Sequence, residues 1–131
     1  MKKFLTPQEI EVHYIIPAIR KELSLELKNL GLDQKNIAEK LGVSEAAISQ
    51  YISGKRACDI CLTTNILKEL KISAKRMINN SLFVEELQLL LKLARKERLV
   101  CKIGQNKGCA PKNCEACFKW KFIWIILQQH N

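Results

Sequence analysis

A chain of 131 residues, 47% of them hydrophobic, has room for one domain, or for one small domain with an appendage. Its formal net charge of +9 suits a polyanionic partner such as DNA, RNA or a membrane surface. The longest late apolar run, residues 122–127, falls far below the roughly 20 residues of a membrane span, and Lys2 and Lys3 precede no apolar run of a secretory kind.

In chain order, Thr6-Pro7-Gln8-Glu9 is a capping box with proline at the first helical position, so a helix is predicted to start at Thr6. Ile10, His13, Tyr14 and Pro17 lie along one side, and Pro17 is expected to break or kink it because it offers no N–H. From Ala18 to Leu30, apolar Ile19, Leu23, Leu27 and Leu30 recur every three to four residues, and Gly31 ends that helix.

The stretch from Asp33 to Arg56 carries the strongest local pattern. Asp33 stands where an N-cap belongs, and Ile37, Ala38 and Leu41 share one helical face. Gly42 follows, where the chain must turn and a left-handed conformation is cheapest for glycine. Ser44 caps a second short helix in which Ala46, Ala47 and Ile48 bring small apolar groups to the first, and Gly54 ends it before Lys55 and Arg56. This is a helix-turn-helix, whose second helix lies in the DNA major groove.

The residues Gln34, Ala38, Gly42, Val43, Ser44, Ile48 and Ser49, closing with Ser53-Gly54-Lys55, resemble the lambda-repressor and Cro-like (XRE-type) class. With Pro17-Ala18-Ile19-Arg20 and Ala46-Ala47-Ile48-Ser49-Gln50-Tyr51, the chain is also similar to a group of small regulators of archaea and anaerobic bacteria. That resemblance implies a cysteine cluster after the DNA-binding domain, with an iron–sulfur or redox role.

After Arg56, Leu62, Ile66, Leu67 and Leu70 predict a fourth helix from about Asp59 to Leu70, and Ser73 is the expected N-cap of a fifth. Asn79-Asn80-Ser81 is the expected boundary between residues 1–80, the DNA-binding domain with its N-terminal helical extension, and residues 81–131. Ser81 then caps a helix whose Leu82, Phe83, Leu87, Leu90, Leu91 and Ala94 form a broad apolar face, expected to serve as a homodimer seam. Past Leu99 comes a loop without apolar periodicity, and its length calls for a metal or covalent staple. The aromatic segment with Trp120, Phe122, Ile123, Trp124, Ile126 and Leu127 is expected to cover that staple as a last short helix or strand.

Within the second helix of the motif, Glu45, Ala46, Ser49 and Gln50 face outward, near its N-terminal part. Glutamine can bond bidentately to adenine and an alanine methyl can touch thymine, so Gln50 and Ala46 are candidate base readers, while Glu45 either accepts from cytosine or favours the helix dipole. Ser44 stands beside them, and Gln34, Lys55 and Arg56 are candidate phosphate contacts; Tyr51 either joins these or packs.

Cys101, Cys109, Cys114 and Cys117, spaced C-x7-C-x4-C-x2-C, form the second constellation. Four soft thiolates suit an iron–sulfur cluster, 4Fe-4S or 2Fe-2S, with tetrahedral zinc as the alternative and free or disulfide-bonded thiols as the third option. Cys58 and Cys61 make another C-x2-C at the start of the fourth helix, expected to pack in the core, with a redox pair or extra ligands as the other option. His13 and His130 stand outside any motif, and no nucleophile triad, Walker loop or paired-carboxylate site appears, so no enzyme is predicted.

The basic excess is uneven: residues 1–56 hold nine basic and seven acidic side chains, and segment 92–121 holds nine against two. The sequence therefore predicts an all-α, five-helix, repressor-like domain with an N-terminal extension helix, then a C-terminal helix and a Cys-rich metal-binding loop. The expected function is a cytoplasmic, homodimeric regulator of a double-stranded DNA operator that senses redox or iron status. The alternative is a constitutive nucleic-acid binder with structural zinc.

Overall fold

In the computed structural model, which describes residues 4–57, 60–117, 119 and 126–129, the chain is all-α and no strand forms among those residues. The expected all-α class holds. Expectations placed on Lys2, Lys3, Cys58, Asp59, Trp120, Phe122, Ile123, Trp124 and His130 lie outside the described residues.

The capping box forms as predicted: the Glu9 N–H donates to Thr6 Oγ1 at 3.2 Å and the Thr6 N–H donates to Glu9 Oε1 at 2.9 Å. It opens α1 (Pro7–Ile10), which runs into a π-helical turn (Glu11–Ile15) and then α2 (Ile16–Asn29). Pro17 does not break this helix. The Ile16 N–H donates to the Glu11 carbonyl, five residues back, so the ladder widens by one residue just before the proline, whose ring lacks an N–H to donate.

Ile19, Leu23 and Leu27 on α2 are fully buried, and α2 packs against α3 (Gln34–Leu41), α4 (Glu45–Ile52), α5 (Thr64–Ile78) and α6 (Phe83–Lys96). It is the central helix of the fold. Leu30, expected on the same stripe, is 42% exposed because α2 has already ended. Each fully buried Leu or Ile contributes roughly 1.5–3 kcal/mol of apolar burial, so the helix pattern and the core are one fact seen twice.

The two helices expected on either side of residue 71 are a single one. Thr63 is the N-cap of α5, its hydroxyl oxygen accepting from the Ile66 N–H at 3.3 Å. Ser73 is not a cap; it is fully buried within α5, and Ile66, Leu70, Ala74 and Met77 continue one apolar stripe past it. The Ser73 hydroxyl accepts from Arg76 Nη2 at 3.3 Å. Arg76 also donates to Glu86 Oε1 at 2.8 Å and to Glu69 at 3.1 Å. Burial by itself would raise the pKa of Glu86, but hydrogen bonds from Arg76, Ser81 and Ser73 outweigh it and hold the carboxyl below its ordinary value.

Ser81 is likewise not the N-cap of α6, a position held by Leu82 without a side-chain bond; its hydroxyl donates to Glu86 instead. The helix buries Leu90, Leu91 and Ala94 in the same apolar cluster as Ile19, Ile48 and Ile66. Leu99, expected to end the preceding helix, and the residues past it, expected to be loop, together form α7 (Leu99–Lys107), with Leu99, Val100 and Ile103 buried. Gly104 lets this helix sit close to its neighbours: a Cβ there would lie 2.7 Å from Ala110 Cβ and 3.3 Å from Ile10 Cδ1. Residues 126–129 are helical, with Ile126 and Leu127 exposed.

Candidate nucleic-acid interface and cysteine arm

Local chemistry sets the geometry of α3 and α4. Asp33 accepts from the Asn36 N–H at 2.9 Å, and Ser44 Oγ accepts from the Ala47 N–H at 3.1 Å, so each helix has its own side-chain cap. Between them Gly42, at φ 67°, takes the left-handed conformation that glycine adopts without a Cβ penalty. Ala38 and Ala47 are both buried, and their small side chains let the two helices close on each other.

Ala47, Ile48 and Tyr51 turn into the core, which leaves Glu45, Ala46, Ser49 and Gln50 exposed on the other side of α4. Those are the four predicted outward residues. Gln34, at the start of α3, and Lys55 and Arg56, after α4, are also exposed and available to phosphates. Gly54, at φ 78°, and the Lys55 N–H donating to the Gln50 carbonyl at 2.9 Å close the end of α4 and set where Lys55 and Arg56 begin. Ser44 is exposed, but its oxygen serves the cap, leaving its O–H as the free donor. Tyr51 needs correction as a DNA contact. It is 4% exposed and packs, with the Arg56 guanidinium carbon 5.8 Å from its ring centroid.

Two capped short helices crossing at a glycine turn, with one polar face left outward, define a DNA-binding helix-turn-helix. Residues 23–60 match the family model described as Helix-turn-helix, and this segment is an XRE-type unit of that family; the protein is a DNA-binding regulator. No curated protein and no solved structure matches the chain.

The cysteines are placed less simply. Cys109 is buried, its carbonyl accepting from the Leu5 N–H at 2.9 Å and its N–H donating to the Gly104 carbonyl. Cys101 lies in the first turn of α7 and is half-buried, Cys114 is half-buried, and Cys117 is exposed. Cys101 and Cys117 line one cavity of about 450 Å³, and Cys101 and Cys114 line a neighbouring one of about 600 Å³. Partial burial, then the nearby Cys101 and Cys114 thiols, push the Cys117 thiol pKa up, against the opposing charge of Arg98. Three of the four predicted ligands thus share one neighbourhood while the fourth is in the core. Among the described residues, no three Cys, His, Asp or Glu side chains come together closely enough to hold a metal ion. The described arrangement therefore does not fit a four-thiolate zinc or cluster site. Cys61, expected to pack, is exposed and precedes α5 because that helix starts only at Thr64.

Sequence reasoning missed three side-chain bonds to carboxylates around this arm. Glu11, buried on the π-helical turn, accepts bidentately from Arg95 at 2.8 and 3.0 Å. Thr63 donates its hydroxyl to Glu97, and Arg98 Nη2 donates to Glu115 at 3.2 Å. Leu99, Val100 and Ile103 share one helical face, a short local sign of α7 in a stretch read as loop.

Proposed function

We propose that the chain is a sequence-specific regulator that binds a double-stranded operator in the cytoplasm as a homodimer, with its C-terminal thiols as the sensing part. The observation that carries this is the exposed face of α4, where Glu45, Ala46, Ser49 and Gln50 share one side and Lys55 and Arg56 flank its end. Gln50 would read adenine and the flanking cations would set register on the phosphates. Gln50→Ala is expected to relax base preference at one position of each half-site and to cost roughly 1–3 kcal/mol on specific DNA. Titration of the variant against single-base operator variants checks this; an unaltered preference at every position would remove Gln50 from the groove.

The homodimer is supported by what the core leaves over. Of the face expected to pair two copies, Leu90, Leu91 and Ala94 are taken by the core, but Leu82, the N-cap of α6, is 60% exposed, and Val84 and Leu89 within the helix are 57% and 41% exposed. Pairing two copies would double the bases read and set the half-sites about 34–36 Å apart. Leu89→Asp is expected to convert dimer to monomer in sedimentation without loss of helix content. A variant that sediments as wild type places the seam off α6.

The sensing part rests on the thiols around Cys101. An iron–sulfur cluster on Cys101, Cys109, Cys114 and Cys117, or zinc in its place, requires Cys109 to leave the core. Iron, sulfide and zinc analysis of anaerobically prepared protein decides that point.

A further inference from the structure

Cys101 occupies a particular place in this arm: it lines both cavities, one shared with Cys117 and one with Cys114. The cavity shared with Cys117 is the more enclosed, walled by Pro7, Gln8 and Glu11 from the start of the chain and by Val100 from α7. Its two sulfurs stand on elements of different stiffness. Cys101 is on a helix anchored by buried Leu99, Val100 and Ile103. Cys117 is on an arm held by exposed contacts, Arg98 to Glu115 at 3.2 Å and Gln105 to the Pro111 carbonyl at 2.8 Å. Exposed pairs of this kind contribute little, so the arm can move until the two Cα atoms reach the separation a disulfide demands, about 5.5 Å. Cys109, buried beneath Gly104 and Leu5, is withheld from exchange.

We propose that Cys101 and Cys117 form a reversible intramolecular disulfide, made by hydrogen peroxide, that lowers operator affinity. The Cys101 thiolate attacks one peroxide oxygen, the O–O bond breaks, and with a proton the leaving hydroxide becomes water, leaving a sulfenic acid. The Cys117 sulfur then displaces the sulfenic oxygen as a second water, so two thiols and one peroxide give one disulfide and two waters.

The route to the DNA-binding unit is short. Glu97 and Arg98 directly precede α7, and Arg98 sits at the corner in a left-handed conformation with φ 56°. Glu97 holds the hydroxyl of Thr63, the N-cap of α5, and the chain between Arg56 and Thr63 leads back to the phosphate-facing cations. Closure of the arm shifts Glu115 and with it Arg98, turns that corner, pulls Glu97 from Thr63 and loosens the start of α5, the element that follows Lys55 and Arg56 in the chain.

The proposal rests on the operator-binding function above, and the test separates the two. Full-length reduced protein is treated with hydrogen peroxide, digested without reductant and mapped, and operator affinity is measured before oxidation, after it, and after dithiothreitol. Trypsin leaves Cys114 and Cys117 on one peptide, because Lys112 and Lys119 flank both, so Cys114→Ser and Cys117→Ser assign the partner. Wild type and Cys114→Ser are expected to show the cross-link to Cys101 and an affinity loss of about tenfold, within the usual range of coupling between sites, restored by dithiothreitol. Cys117→Ser is expected to bind operator like reduced wild type and to lose both responses. A cross-link that survives in Cys117→Ser, or one that forms without changing affinity, overturns the proposal. Reduced protein that binds no duplex would instead overturn the operator function, while the peptide map still reports the disulfide.

Discussion

Ala46→Glu is expected to weaken operator binding by more than about 100-fold, close to 3 kcal/mol, while leaving the helical fold intact. Ala46 is exposed in the first turn of α4, on the side away from the buried Ala47, Ile48 and Tyr51. Glutamate is a good helix former, and a carboxylate in the first turn interacts favourably with the helix dipole, so the free protein loses nothing. Against DNA the same carboxylate meets phosphate charge and an occupied groove, and like charges brought together at an interface cost several kcal/mol. Fluorescence anisotropy on labelled operator, paired with a thermal melt, measures both halves. Wild-type affinity in a variant that melts normally would show that α4 does not enter the groove.

Leu90→Ala is the matching experiment on the fold. Leu90 lies on α6, outside the matched segment 23–60, yet it is fully buried in one apolar cluster with Ile19 of α2, Ile48 of α4 and Ile66 of α5. Removing a buried leucine to alanine costs about 2–5 kcal/mol, as lost transfer energy plus the cavity left behind. The expected outcome is a lower urea midpoint with a single transition in which α4 and α6 unfold together. Two separate transitions, with only the second half of the chain destabilised, would instead support a division near Asn80. The contrast with Leu89 is useful here: one position along, 41% exposed, it should matter to pairing and little to the monomer.

The parts legible in the sequence are those whose cause lies within a few residues. Thr6 with Glu9, Asp33 with the Asn36 amide, Gly42, and Ser44 with the Ala47 amide are all three-residue bonds or single backbone conformations, so the residue type announces them. The outward set Glu45, Ala46, Ser49 and Gln50 follows from helical phase once Ala47 and Ile48 are recognised as inward. Where a residue had two local options, the fold chose between them. Serine at position 73 is a good cap in isolation; Arg76 and the packing of α6 on α5 made it a buried interior residue, and two short helices became one. Proline at position 17 breaks most helices, but a π-helical turn beside it kept this one continuous and carried Glu11 to Arg95, 84 residues away. Tyr51 is amphipathic and sequence-neutral until the core around it takes its ring. The cysteines depend most on tertiary structure, because spacing fixes only which thiols are near in sequence. Packing of Gly104 against Ala110 and Ile10 put residues 99–107 into a helix and left Cys109 in the core. Cys101 therefore meets Cys114 and Cys117 across two cavities, an arrangement set by contacts between distant segments that no local pattern encodes.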